Sequence, residues 1–129
     1  MDNKTLFRRA KVACERAYAP YSDFHVGAAV LTASGEVFEG ANVENASYGA
    51  TICAERVAVS KAVTEGHKDD ITAIAIASSG TDTAFPCGIC RQFIFEFGDD
   101  IRIIVGKDEA HLEEYAISEL LPNGFREFS

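Results

Sequence analysis

No apolar run in this chain approaches the roughly 20 residues needed to cross a bilayer, so a membrane-spanning protein is not expected. The opening stretch, Met1-Asp2-Asn3-Lys4-Thr5-Leu6-Phe7-Arg8-Arg9, lacks the apolar core of a secretory signal, and a cytoplasmic location is the expectation. Basic clusters are missing as well. Arg8, Arg9 and Lys11 form the densest cationic group, on what reads as a solvated helix face. With a formal net charge of -8, the chain would repel a polyanion, which argues against DNA or RNA as partner or substrate. There are no internal repeats and no linkers. Cysteine is sparse: four residues could close two disulfides, but a cytosolic setting and a C-x-x-C spacing favour metal or redox chemistry.

What remains is an ordinary globular composition in 129 residues, enough for one domain spanning 1–129 and too little for two. Leu6, Ala10, Ala13, Cys14 and Ala17 recur at spacings of three and four and predict an amphipathic helix ending before Pro20. Phe24 to Ala33 and Glu36 to Val43 read as strands joined at Ser34-Gly35 in a hairpin. A helix rich in Ala and Val follows from Ile52 to about Glu65; being apolar almost all round, it is expected to be buried. Ile71 to Ala77 reads as a central strand, and a helix begins near Cys87 and carries Arg91 to Phe97. Ile101 to Val105 is a further buried strand, Glu114 to Ile117 a weaker one, and Ser118 to Leu121 a short helix. Strands alternating with helices imply an α/β layered sheet, which the opening hairpin makes mixed.

The chemistry lies in Thr51-Ile52-Cys53-Ala54-Glu55-Arg56 and Pro86-Cys87-Gly88-Ile89-Cys90-Arg91-Gln92. Both clusters open predicted helices, whose free N–H groups and positive end favour the thiolate that zinc requires. Cys87 and Cys90 lie one turn apart on one helix face, and Cys53 supplies a third sulfur. Three protein ligands leave a fourth position for water, the pattern of a catalytic zinc, and Glu55 stands beside the first cysteine as a proton carrier. Three thiolates around a divalent ion leave a net charge of about -1, which calls for compensation. Arg56 and Arg91 are placed to donate hydrogen bonds to the sulfurs. The C-G-x-C element by itself also suits a dithiol redox protein, and Cys14 as a fourth ligand would make a closed structural site, although it lies on a core stripe. Asn42 and Glu44, two apart on an extended segment, point the same way, which by itself suits an ordinary polar strand end as well as a pair that binds hydroxyls.

Cys-Ala-Glu paired with Pro-Cys-x-x-Cys is the pattern of zinc nucleobase deaminases. Together with Tyr21-Ser22, Phe24-His25-Val26-Gly27-Ala28-Ala29, Asn42-Val43-Glu44-Asn45-Ala46-Ser47-Tyr48-Gly49 and Leu120-Leu121-Pro122, it makes nearly the whole chain resemble the small cytidine deaminases that act on free nucleosides. The resemblance implies a three-layer cytidine deaminase-like α/β fold, a mixed five-stranded sheet flanked by helices. It implies hydrolysis of cytidine and deoxycytidine to uridine and deoxyuridine with release of ammonia, in pyrimidine salvage. One zinc per chain would be held by Cys53, Cys87 and Cys90. Zinc-bound hydroxide would attack C4 while Glu55 carries protons to N3 and then to the leaving amine. The Ala54 N–H would hold the ring carbonyl, Phe24 would pack on the base, and Asn42, Val43, Glu44, Asn45, Ala46, Ser47 and Tyr48 would line the sugar side. Phe125 would close the site from a neighbouring subunit of a homotetramer. Phe85 departs from the family, which usually has a small hydroxyl residue there. The nearest rival is a deaminase of another aminopyrimidine such as blasticidin S.

Overall fold

The first helix starts where Asp2 caps it, its carboxylate accepting the Thr5 N–H at 2.8 Å. In the computed structural model, which describes residues 1–126, this helix is α1 (Asn3–Ala13), and a 3₁₀ turn (Cys14–Arg16) rather than further α-helix carries it toward Pro20. Strand β1 (Val26–Thr32) turns back into β2 (Val37–Ala41) as the expected hairpin, with Leu31 opposite Val37. Helix α2 (Ala54–Thr64), strand β3 (Ile71–Ser78), helix α3 (Gly88–Phe95), strands β4 (Arg102–Gly106) and β5 (Leu112–Ala116) and helix α4 (Ile117–Leu120) complete the order. The sheet has the spatial order β2-β1-β3-β4-β5. Only β3 and β4 run parallel, with α3 in the connection between them; the other pairs are antiparallel, so the sheet is mixed as expected.

Alternation along the strands divides the core in two. Ala29, Leu31, Ala73, Ala75, Ala77 and Ile104 pack with Leu6, Phe7, Ala10 and Cys14 of the α1 side. Ala28, Val30, Ile74, Ile76, Ile103 and Val105 pack with Ala54, Ala58, Val59 and Ala62 of α2 and Ile94 of α3. Helices on both faces make the three layers. Each face has one point where a helix touches the sheet backbone. A Cβ on Gly27 would lie 2.0 Å from the Ala10 carbonyl oxygen, and one on Gly40 would lie 2.6 Å from the Ala58 nitrogen and 2.9 Å from the Ala54 oxygen.

Helix α2 is not buried all round. Ala54, Glu55, Ala58, Val59 and Ala62 are buried, Val57 and Val63 are half-buried, and Ser60 and Lys61 face solvent. The helix lies on one face of the sheet with no described residue folded over its back, so it keeps an outer side despite its apolar sequence.

The strand register gathers three chain segments at one end of the sheet. Gly27 pairs with Ala41 and Val26 with Ser78, so the start of β1 and the ends of β2 and β3 are neighbours. The chain leaving β2 there leads to the start of α2, and the chain leaving β3 leads to the start of α3. Open α/β sheets place their ligands beyond such strand ends.

Candidate active site

Cys53 is the N-cap of α2 and Cys87 the N-cap of α3, while Cys90 lies in the first turn of α3. Cys53 and Cys87 thus stand at the positive ends of two helices, a setting that favours thiolate. Their sulfur atoms lie within 4.8 Å of one another, with Cys53 to Cys87 at 3.9 Å and Cys87 to Cys90 at 3.5 Å. A tetrahedral zinc with bonds of about 2.3 Å sets its sulfurs about 3.8 Å apart, so the trio fits that ion. Cys14 takes no part; it is buried on the other face of the sheet, its sulfur 3.3 Å from the Ala77 carbonyl oxygen. All four cysteines are free thiols.

Electrostatics around the trio are uneven. Hydrogen bonding from Cys90 pulls the Cys53 thiol down to about 5 against the effect of burial, with help from Arg56 and Cys87. The same interaction with Cys53, together with burial, pushes Cys90 up. Glu55 is only 3% exposed. Burial raises its carboxyl to about 7, and the neighbouring Cys53 charge adds to that effect.

The two arginines divide. Arg56 donates to the Thr51 carbonyl at 3.0 Å, its charge acts on both Cys53 and Cys90, and its Nε is buried with no partner among the described residues. An orphaned donor beside two sulfurs suits a set of thiolates. Arg91 was expected to bond to sulfur as well, and here the structure differs. Its Nε donates to the Pro86 carbonyl at 2.7 Å and its Nη1 to the Leu120 carbonyl at 2.9 Å. The guanidinium thereby ties the cysteine loop to the end of α4, because those two uncapped carbonyls lie within its reach.

A cavity of about 370 Å³ opens at this point, lined by Cys53, Ala54, Glu55 and Cys87 together with Phe24, Asn42, Thr51 and a few apolar neighbours. Asn42 is 8% exposed; its Oδ1 accepts the Val26 N–H and its Nδ2 donates to the Phe24 carbonyl, both at 2.8 Å. Glu44, Asn45 and Tyr48 line a second cavity of about 360 Å³ with Tyr21 and Ser22, and Thr51 borders both. The Glu44 carboxylate accepts the Tyr21 N–H at 2.9 Å, the Ser22 N–H at 3.1 Å and the Ser22 hydroxyl. Asn42 and Glu44 both turn away from exposed Val43, as alternation requires, yet they face adjoining cavities rather than one. Ala46 and Ser47 are exposed, and neither they nor Val43 line a cavity wall. Phe125 is 58% exposed and its carbonyl accepts from Gln92 Nε2 at 2.7 Å; it lies outside the cavity of its own chain.

Sequence reasoning missed Val26, Thr51, Ile76, Thr83 and Ala84, which also line the main cavity. Val26 and Ile76 carry no signal that distinguishes them from core strand residues. Thr51 had one, a hydroxyl two residues before Cys53.

Three sulfurs on two helix starts, with a buried carboxyl in the same cavity, are the equipment of a metal-dependent hydrolase. The chain belongs to the cytidine and deoxycytidylate deaminase zinc-binding family, whose model matches residues 1–107, and its enzyme class is that of the zinc-dependent hydrolytic deaminases. It is 46% identical over 126 residues to the cytidine deaminase of Halalkalibacterium halodurans, covering 97% of this chain and 95% of that protein. A probable cytidine deaminase of Dictyostelium discoideum is 48% identical over 110 residues, 84% of this chain and 74% of that one. The crystal structure of cytidine deaminase from Burkholderia pseudomallei superposes with a TM-score of 0.91 at 41% identity, covering 97% of this chain and all of that one.

Proposed function

We propose that the chain hydrolyses cytidine and deoxycytidine, water replacing the exocyclic amine to yield uridine or deoxyuridine and ammonia, as a step of pyrimidine salvage. The observation that carries this reading is a carboxyl only 3% exposed in a cavity that Cys53 and Cys87, two members of a three-sulfur cluster, also line. One zinc ion per chain, held by Cys53, Cys87 and Cys90, supplies Lewis-acid activation of water when bound.

The remaining work belongs to the chain. Glu55 accepts a proton from the attacking water, delivers it to N3 of the pyrimidine, and later passes a proton to the departing amine. The N–H of Ala54, first residue of α2, has no acceptor within its helix and holds the ring carbonyl. Phe24 packs on the base. Asn42 uses one lone pair and one N–H internally, which leaves one of each for a sugar hydroxyl. Glu44 completes the sugar side from the adjoining cavity, in a segment that continues through Val43, Asn45, Ala46, Ser47 and Tyr48. Arg56 offsets the charge of the thiolates.

Tyr18, Tyr21, Val43, Tyr48, Ile52 and Phe125 leave much apolar surface in solvent. This supports a homotetramer in which Phe125 of one copy covers the site of another. Zinc analysis, light scattering and ultraviolet assay of cytidine turnover test the whole reading. About one zinc per chain and four copies per particle are expected. Glu55→Ala should keep its zinc and lose at least about a hundredfold in activity. An active Glu55→Ala enzyme would overturn the proton-carrier role, and an inactive wild type would overturn the substrate.

A further inference from the structure

Phe85 has no part in the reading so far, yet it lines the cavity of Glu55 and the cysteines. It is 46% exposed, which is unusual for a phenylalanine with a core close by. Its ring packs against the Tyr115 ring of β5, with centroids 5.9 Å apart at 55°. Tyr115 packs against the main core and does not itself line the cavity.

The lining residues leave one edge of the substrate ring for Phe85. This step rests on the deaminase reading given above, in which N3 meets Glu55 and the C2 carbonyl meets Ala54. Those two positions form the edge of the ring turned to α2. In a six-membered ring C5 is opposite C2 and C6 is opposite N3, so the C5–C6 edge turns away from α2. C4 must stand by the cysteines and N1, bearing the sugar, by Asn42. C5 is the neighbour of C4, and the chain neighbours of Cys87 on the cavity wall are Thr83, Ala84 and Phe85. Phe85 is the only large side chain among them.

We infer that Phe85, braced by Tyr115, is the wall that meets C5 of the pyrimidine and excludes rings substituted there. In an apolar pocket one methyl group too many is commonly worth about tenfold to a few hundredfold in kcat/KM. The test compares cytidine with 5-methylcytidine in the zinc-loaded full chain. The wild type should favour cytidine. Phe85→Ala should raise the 5-methylcytidine to cytidine ratio of kcat/KM at least about tenfold, chiefly through 5-methylcytidine. Tyr115→Ala, which removes only the brace, should raise it by a smaller factor, and Tyr115→Phe should leave it unchanged. Zinc content and melting temperature accompany each assay. Should Phe85→Ala not fold, Phe85→Leu provides the same comparison with the apolar bulk kept and the ring removed. A ratio within twofold of wild type in a folded, zinc-loaded Phe85 variant overturns the inference while leaving the deaminase reading intact. A wild type that turns over neither nucleoside overturns the reading beneath it.

Discussion

The two faces of the sheet carry the same kind of element, a helix of 11 residues pressed on β1, and put cysteine to opposite uses. On the α1 face, Cys14 sits behind the last turn of the helix, and burial pushes its thiol up. Its sulfur donates to the carbonyl oxygens of Ala77 and Ala10, and burial outweighs the lowering by Lys11 and the Gly27 backbone. On the α2 face, Cys53 sits before the first turn, where hydrogen bonding from Cys90, with help from Arg56 and Cys87, brings it down to about 5 against the effect of burial. Burial is comparable in kind at both places; the direction in which the helix points is what differs. A thiol for which burial dominates is a small apolar side chain, whereas one held down by neighbouring thiols and an arginine is kept toward the thiolate that a metal requires.

The largest effect that would sharpen this contrast is on metal content. Cys87→Ser should reduce zinc from about one per chain to a small fraction and cut turnover at least about a hundredfold, since one of three ligands is lost. Cys14→Ser should keep its zinc. Metal loss in Cys14→Ser, read by atomic absorption, would break the comparison and restore a four-cysteine site.

Smaller effects are expected where each helix touches the sheet. Gly27→Ala and Gly40→Ala both force a Cβ against helix backbone, and each should cost about 2–3 kcal/mol of stability. They should part company on zinc. The Ala54 oxygen that Gly40→Ala would push belongs to the residue after Cys53, so zinc affinity in a chelator competition should fall only there. Equal zinc affinities in the two variants would show that α2 moves without carrying its ligand along.

The smallest effect is at the edge strand, where both faces meet. The Glu39 carboxylate takes hydrogen bonds from Arg9 and Arg16 on one side of β2, and the Glu39 carbonyl accepts from Lys61 of α2 at 2.7 Å on the other. Burial raises the carboxyl, but the two arginines outweigh it and hold it below its usual 4.5. A carboxyl lowered by folding binds its proton more readily unfolded, so the stability it contributes is complete above about pH 4.5 and fades as pH falls through the lowered value. Glu39→Gln should therefore lose about 1 kcal/mol or less in urea melts near neutrality, with the gap to wild type closing below about pH 4. A gap that widens in acid would contradict the ion-pair account.

Much of this was legible in the chain because it is local. Helix and strand periodicities reproduced the α-helices and strands to within a few residues, though not the 3₁₀ turns, and Cys53-Ala54-Glu55 and Cys87-x-x-Cys90 announce helix starts that carry thiols suited to a metal. Long-range partners were not legible. Nothing in the chain says that Arg91 will find the Pro86 and Leu120 carbonyls before a sulfur, since that depends on where α4 ends. The outer side of α2 was hidden for a similar reason: a run of Ala and Val reports affinity for a core, not whether a second layer lies over it. The ring contact of Phe85 with Tyr115 joins residues 30 positions apart, and no pattern spans them.

The sequence by itself determined the three candidate metal-binding thiols, the carboxyl beside them and the class of chemistry, because side-chain types and one-turn spacings are fixed along a helix before any folding. Tertiary structure decided what no spacing contains. Pairing Gly27 with Ala41 and Val26 with Ser78 brings the starts of α2 and α3 together, so that sulfurs 34 residues apart stand 3.9 Å from each other. The same packing buries Glu55, divides Asn42 and Glu44 between two cavities and sets Phe85 against Tyr115. Distances across a sheet depend on register and layer order, and those are properties of the whole chain.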